Sequence, residues 1–323
     1  MNLSAFTPSE QWHIYCLINP IMIRYQRTIK RPVICSGIGL HTGTPVTLTL
    51  KPAPTGAGVS FVRTDLGGTV IKAVAENTAA TGYATTLCSD GASVQTVEHL
   101  LAALAGLHID NVAIDIDAGE VPIMDGSARP FIRGIVDAGI ETQTSTPRAL
   151  KILRPLVVRD GDRHIAVWPA ETLSISCFID FKHPLLRSQS FRYKPSDTDF
   201  LREISDARTF GFVNDVETLR RHGLARGASL DNVVALDETS VVNVEGLRYK
   251  DEFVRHKILD LVGDLSLAGA DIIGHVVAHK SGHGLHARLV RSLLNSPDHW
   301  LLAASNERLR IHEDQPGLLH AAI

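Results

Sequence analysis

Apolar and polar residues alternate along much of the first third of the chain. Val46-Thr-Leu-Thr-Leu50 switches at every residue, and the run from Val112 to Asp117 alternates from Ile114 onward, which is the period of a strand with one buried face. Clusters of Gly, Pro and Asn punctuate these runs, so residues 31 to about 117 predict mainly short strands. Between them, residues 97 to about 107 predict a helix, with the Thr96 hydroxyl placed to cap its first turn. Pro130 predicts the start of a second helix that runs to about Ala138 and stops at Gly139.

The polar stretch 141–148 carries Pro147, shows no periodicity and predicts a linker between two domains. Strands are expected again at 149–158, 165–169 and 173–181, followed by a polar region with a short helix near 215–222. A strong helix over 252 to about 267, a strand at 272–279 and a helix over 284 to about 294 come last. Each half of the chain therefore reads helix, strand, helix, and in each the first helix carries a histidine near its start: His99 and His256. The pattern predicts a duplicated α+β unit with a site where the two copies meet. Chance is the alternative, because helix–strand–helix is common.

Composition narrows the function classes. An apolar fraction of 44% and a charged fraction of 21% belong to an ordinary soluble globular protein. A formal charge of -3 supplies no basic field for nucleic acid and no polybasic patch for a membrane. The apolar stretch 14–23 is interrupted by Asn19 and Pro20, too short for a membrane span, and unlike a secretory signal. Met22 reads as a natural start, which makes residues 1–21 an extension without a role in the fold. Cys16, Cys35, Cys88 and Cys177 never form a CxxC pair. They fit reduced thiols in a cytoplasmic protein better than a disulfide framework or a thiolate metal site.

Histidines and carboxylates carry the candidate chemistry. His256 and Asp260 are spaced i, i+4, which stacks them on one helix face, and Asp264 lies one turn further along. The stripe interrupts an apolar helix containing Phe253, Ile258, Leu259, Leu261, Val262 and Leu265. Carboxylates buried there without compensation would be costly, and a metal ion or a cationic partner would relieve that cost. A salt-bridged or solvated face is the plainer explanation. If a metal is bound, His99 is the best third ligand, leaving a fourth position for water, and Glu98 beside it can accept that water's proton. An ordinary polar first turn would also explain Glu98-His99. His283, in a Gly-flanked loop, suits the acid that protonates a departing amine, with Asp264 to orient its ring and raise its pKa. Lys257 is expected to point off the metal stripe, toward a phosphate or a developing oxyanion, or simply to lie on the surface. A peptidase of the HExxH kind is disfavoured, because His99-Leu-Leu-Ala-Ala offers no second ligand one turn on.

Six runs together resemble a known family. They are Gly37-Ile-Gly-Leu-His-Thr-Gly43, Thr96-Val-Glu-His-Leu100, Glu120-Val-Pro-Ile-Met-Asp-Gly-Ser-Ala128, Ala207-Arg-Thr-Phe-Gly-Phe212, Phe253-Val-Arg-His-Lys-Ile-Leu-Asp260 and Ser281-Gly-His-Gly284. In order and spacing they are similar to the signature runs of the UDP-3-O-acyl-N-acetylglucosamine deacetylases of lipid A biosynthesis, from about Met22 to about Leu294.

That resemblance implies an α+β fold of two similar domains. Each is a β-sheet with a pair of helices on one face, and the helices of both domains pack between the sheets. The expected boundaries are 22–146 for the first domain and 147–300 for the second, with an insert at about 211–246 that forms a passage for the acyl chain and a tail at 301–323. Carried over by residue, the resemblance gives zinc ligands His99, His256 and Asp260, general base Glu98, and His283 as acid with Asp264 as partner. Thr209 would help hold the oxyanion, Phe210 would contact substrate, and Lys257 would serve the charged part of the site. Leu87 and Cys88 would bound the acyl entrance. The implied cofactor is one zinc ion per chain, with ferrous iron suiting the same ligands. The implied partner is a small molecule, the UDP-linked acylated N-acetylglucosamine, with no nucleic acid, no stable membrane insertion, and a monomeric chain in the cytoplasm.

Overall fold

The alternating run around Leu48 becomes a strand because Val46, Leu48 and Leu50 are buried while the residues between them are more exposed. In the computed structural model, which describes residues 22–79, 82–195, 200–304 and 306–307, this strand is the second of five. In chain order they are β1 (Val33–Ile38), β2 (Pro45–Pro52), β3 (Val59–Arg63), β4 (Thr69–Lys72) and β5 (Val112–Ile116). Their order in the sheet is β1-β2-β5-β3-β4, and β5 runs antiparallel to β2 and parallel to β3. Helix α1 (Glu98–Gly106) precedes β5 and helix α2 (Arg129–Ala138) follows it.

The second half repeats this plan. Strands β6 (Leu156–Asp160), β7 (Arg163–Trp168), β8 (Ser174–Ile179), β9 (Gln189–Tyr193) and β10 (His275–His279) form a sheet in the order β6-β7-β10-β8-β9. Here β10 is antiparallel to β7 and parallel to β8, matching β5 in the first sheet. Helix α3 (Glu252–Ser266) precedes β10 and helix α4 (His283–Leu294) follows it. Two sheets of identical strand order and direction, each with its helix pair in the same connections, make chance a poor account of the repeat.

The helices meet between the sheets. Helix α2 packs on β1, α3 on β8 and β9, α4 on β6 and β7, and α1 lies along α3. The crossing of α1 and α3 is unusually close at Gly263. A Cβ there would lie 2.1 Å from the carbonyl oxygen of Glu98 and 3.1 Å from the Ala102 nitrogen. Glycine weakens a helix interior, but at this position it lets the two backbones approach. A second tie is Arg24, whose buried guanidinium reaches Asp110 at 2.7 and 2.8 Å and Asp271 at 3.1 Å. Asp110 follows α1, and Asp271 follows α3 as the first residue of the strand Asp271–Ile273.

Several expectations change. Thr96 does not cap α1: its backbone is left-handed, with φ 56°, and its hydroxyl donates to Glu120 instead. The expected linker begins and ends in strands. Ile140–Thr142 pairs with Arg27–Ile29, and Arg148–Ile152 is the middle of a three-stranded sheet. The strand expected over 149–158 is two strands, broken around Pro155, which has no N–H to give a ladder. The strand expected over 272–279 divides at Gly274, where a Cβ would sit 2.7 Å from Ile152 Cγ1. The tail expected from 301 starts within a strand, Trp300–Ala304, paired with Arg148–Ile152. Residues 1–21 and 308–323 lie outside the described residues.

Candidate metal and catalytic centre

The close approach at Gly263 puts the start of α1 against the middle of α3. Helix α1 contributes Glu98 and His99, α3 contributes His256, Asp260 and Asp264, and α4 begins with His283. All six are buried. His256 Nε2 lies 3.3 Å from Asp260 Oδ1, and His99 Nε2 lies 3.5 Å from the same oxygen. The two imidazoles meet edge to face, with centroids 4.9 Å apart.

These separations separate a metal site from a salt bridge. A charge-assisted N–H···O bond is about 2.7–2.9 Å long, and neither distance reaches that. A tetrahedron with metal–ligand bonds of about 2.0–2.1 Å has edges of roughly 3.3–3.4 Å, close to both. Among the described residues Asp260 Oδ1 is also buried with no hydrogen-bond partner, and a buried acceptor left so exposes a cost that a cation would remove. The tautomer of His256 agrees. Its Nδ1 lies 3.0 Å from the Ala207 carbonyl oxygen, an acceptor only, so Nδ1 carries the proton and Nε2 offers its lone pair toward Asp260. Burial drives the pKa of His256 down to about 3, keeping the ring neutral as a ligand must be. Burial alone would raise the Asp260 carboxyl, but the neighbouring histidines and Lys257 outweigh it and hold it well below its ordinary range.

Beside this trio lies a second cluster of buried ionisable side chains. Glu98 Oε2 accepts the Thr85 N–H at 3.0 Å, and its Oε1 is 3.8 Å from His283 Nε2. Burial raises the Glu98 pKa against the opposing pull of His283 and His99, as suits a general base. His283 Nδ1 donates to Asp264 Oδ2 at 2.8 Å. Burial would lower this imidazole's pKa, yet the charges of Asp264 and Glu98 lift it to about 9. Asp264 is itself held down to about 2: burial pushes it up, and His283 with its hydrogen bonds pulls it lower. Asp264, His283 and His286 also group closely enough to suggest a second ion. Both histidine Nδ1 atoms, however, sit 2.8 Å from one carboxylate oxygen, which is direct hydrogen bonding.

The loop carrying Thr209 and Phe210 is pinned to α3. Arg208 binds the buried Glu252 through its backbone N–H and side chain at 3.0 and 2.9 Å. The Phe210 ring then lies 6.3 Å from the His256 ring and under the Lys257 ammonium at 5.7 Å. Thr209 is partly buried, fixed by its N–H to the Gly126 carbonyl at 2.8 Å. Lys257 departs from the expectation that it points off the stripe. Residues i and i+3 share a helix face, and its long stem folds back so that Nζ donates to Asp260 Oδ2 at 2.9 Å. Cys88 is exposed, but Leu87 is wholly buried in the core, so its side chain bounds no entrance. In the region 211–246, Val234 and Leu236 also belong to the core, whereas Leu219, Leu224, Ala228 and Val233 are partly exposed and Leu230 is exposed.

Three residues of this centre escape sequence reasoning. Thr85 binds both Glu98 and, through its hydroxyl at 2.6 Å, Asp264; only its place just before Leu87 and Cys88 hints at it. His286 is signalled by its i, i+3 spacing from His283. His41, inside the first signature run, is buried with Nε2 unpartnered. Burial holds its pKa down, with His283 and His99 within electrostatic reach.

A sequence model described as UDP-3-O-acyl N-acetylglycosamine deacetylase matches residues 26–295. Proteins named UDP-3-O-acyl-N-acetylglucosamine deacetylase are similar over most of their length. The one from Myxococcus xanthus (strain DK1622) is 51% identical over 284 residues, 88% of this chain and 90% of that protein. The one from Pseudomonas entomophila (strain L48) is 49% identical over 282 residues, 86% and 93% of the two chains. The one from Saccharophagus degradans is 48% identical over 278 residues, 85% and 92%.

Proposed function

The chain belongs to the UDP-3-O-acyl N-acetylglycosamine deacetylase family, and from that premise we propose that Glu98, His99, His256, Asp260, Asp264 and His283 form its metal-dependent catalytic centre. The protein is a hydrolase acting on an amide. It converts UDP-3-O-(3-hydroxyacyl)-N-acetylglucosamine to the free amine and acetate, the committed step of lipid A biosynthesis. The observation that carries the assignment of residues is the convergence of three buried ligand atoms from two separate helices on edges of 3.3 and 3.5 Å.

Two imidazoles and a carboxylate make zinc the proposed ion, one per chain, with ferrous iron compatible with the same donors. When bound, such an ion polarises the acetamide carbonyl and lowers the pKa of a coordinated water. Glu98 takes the proton from the attacking water, its far oxygen being occupied by Thr85. The oxyanion that develops is met by the Thr209 hydroxyl and the Lys257 ammonium, donors held in place before reaction. His283 then gives its Nε2 proton to the departing nitrogen, with Asp264 fixing the ring from behind. Phe210 and Cys88 contact the substrate in this reading, and the partly exposed apolar residues of 211–246 line the passage for its acyl chain. A single chain in the cytoplasm, in two domains, is the proposed working unit. Among the described residues no helix is long and apolar enough to cross a membrane.

The test measures amine release from the UDP-linked acylated N-acetylglucosamine before and after chelation, with metal content read by elemental analysis. Chelation is expected to abolish turnover, and one equivalent of zinc to restore it. Full activity in metal-free protein would overturn the proposal. So would unchanged metal content in His256→Ala.

A further inference from the structure

Asp264 is more heavily bonded than a partner of His283 alone requires. Its Oδ1 accepts the Thr85 hydroxyl at 2.6 Å, and its Oδ2 accepts two imidazoles, His283 Nδ1 and His286 Nδ1, each at 2.8 Å. His286 is buried on the first turns of α4, and its other nitrogen, Nε2, lies 3.0 Å from the Ser281 hydroxyl. An ionised carboxylate can only accept, so Nδ1 of His286 must donate, and Nε2 must then accept from Ser281. Every polar atom of this buried ring is used, and its tautomer is fixed by its neighbours.

We propose that His286 is a positioning residue: it occupies the second lone pair of Asp264 Oδ2 and so locks the carboxylate in the orientation that aims His283 Nε2 at the reacting amide. Asp264 sets the tautomer of His286, Ser281 satisfies its Nε2, His286 and Thr85 hold Asp264 from two sides, and Asp264 holds His283. Without the His286 donor, Oδ2 keeps one bond instead of two, and the carboxylate can swing about its own axis and take the His283 ring with it. The hydrogen bonds of His286 go to Asp264 and Ser281, so its positioning effect passes through Asp264. The inference rests on the reading of His283 as proton donor, and it adds a residue to that machinery.

Asparagine and glutamine at position 286 separate positioning from packing. The Asn amide nitrogen can stand where Nδ1 stands, whereas the Gln amide reaches the place of Nε2 and leaves Asp264 without its donor. His286→Gln is expected to lower kcat by about 10- to 100-fold, the usual effect of losing an outer partner of a site residue, with KM little changed. His286→Asn should restore most of kcat. In a His283→Ala background His286→Gln should add almost nothing, because both act through one group. Melting temperature and metal content are measured on every variant. Proton NMR of the wild-type protein, which needs no variant to fold, should show slowly exchanging downfield N–H protons assigned to both His283 and His286, beside that of His256. Equal loss of kcat in the Asn and Gln variants, a full additional loss in the His283→Ala background, or the lack of such a proton at His286 would overturn the proposal. A His283→Ala protein with wild-type turnover would sink the proton-donor reading first, and this inference with it.

Discussion

Gly263→Ala tests whether the active geometry depends on the closeness of α1 and α3. The new methyl group would sit 2.1 Å from the Glu98 carbonyl oxygen, 2.9 Å from its carbon and 3.1 Å from the Ala102 nitrogen. All three are backbone atoms of α1 that cannot rotate away. Restoring ordinary contact needs the helices to part by roughly 1 Å. Overpacking of this kind costs about 1–3 kcal/mol, and alanine regains about 1 kcal/mol over glycine in helix propensity. The net loss of stability is therefore modest, at most about 2 kcal/mol. Catalysis should suffer far more, because the displaced segment carries Glu98 and His99, and a 1 Å misplacement costs about 100-fold in rate. Amine release, melting temperature and zinc stoichiometry measured side by side give the contrast. Wild-type kcat in the variant would refute the reasoning, as would a rate loss fully accounted for by the unfolded fraction.

Glu98→Gln should retain metal and lose about 100- to 10,000-fold in kcat; wild-type turnover would remove Glu98 from proton transfer. The reaction needs Glu98 ionised and His283 protonated, so kcat/KM should fall as pH rises toward about 9, the value at which His283 is held by Asp264 and Glu98 against the effect of burial. A divalent cation nearby repels the imidazolium and can only move that limb down. Asp264→Asn should move it lower still, and an unshifted limb would separate Asp264 from His283. Because the folded-state pKa of His283 lies above its unfolded value, the stability it contributes is complete below about 6.5 and is lost as pH climbs through about 9. Arg24→Leu leaves Asp110 without its bidentate partner and should cost about 3–5 kcal/mol, the range for breaking a buried pair from one side. An unchanged melting temperature would show that the tie between the two halves carries no stability.

What the sequence disclosed and what it hid follow a physical division. His256 and Asp260 could be read because i, i+4 spacing is a property of one helix, and the repeat could be read because each half carries its own helix–strand–helix order. Thr85 could not, since its bond to Asp264 joins residues 179 apart. Thr96 has the right chemistry for a cap, but its left-handed backbone, φ 56°, turns its hydroxyl away from the first turn, and it donates to Glu120 instead. Lys257 was misplaced because spacing fixes where a side chain leaves the helix and leaves open where a four-carbon stem ends. Gly263 is the clearest case: within α3 it looks like a weak point, and only the passage of α1 over it gives it a purpose.

That division bears on how the centre assembles. Neither helix alone presents a complete ligand set, because His99 belongs to α1 and His256 with Asp260 to α3. A metal ion bound by all three therefore binds only where the two helices are docked, so its binding free energy also stabilises their packing. The orphaned Asp260 oxygen sits at that same junction, and the cost it imposes in the metal-free protein falls on the contact that Gly263 makes close. Metal affinity and the docking of the two helices are in this way one equilibrium, coupled through the close approach that Gly263 allows.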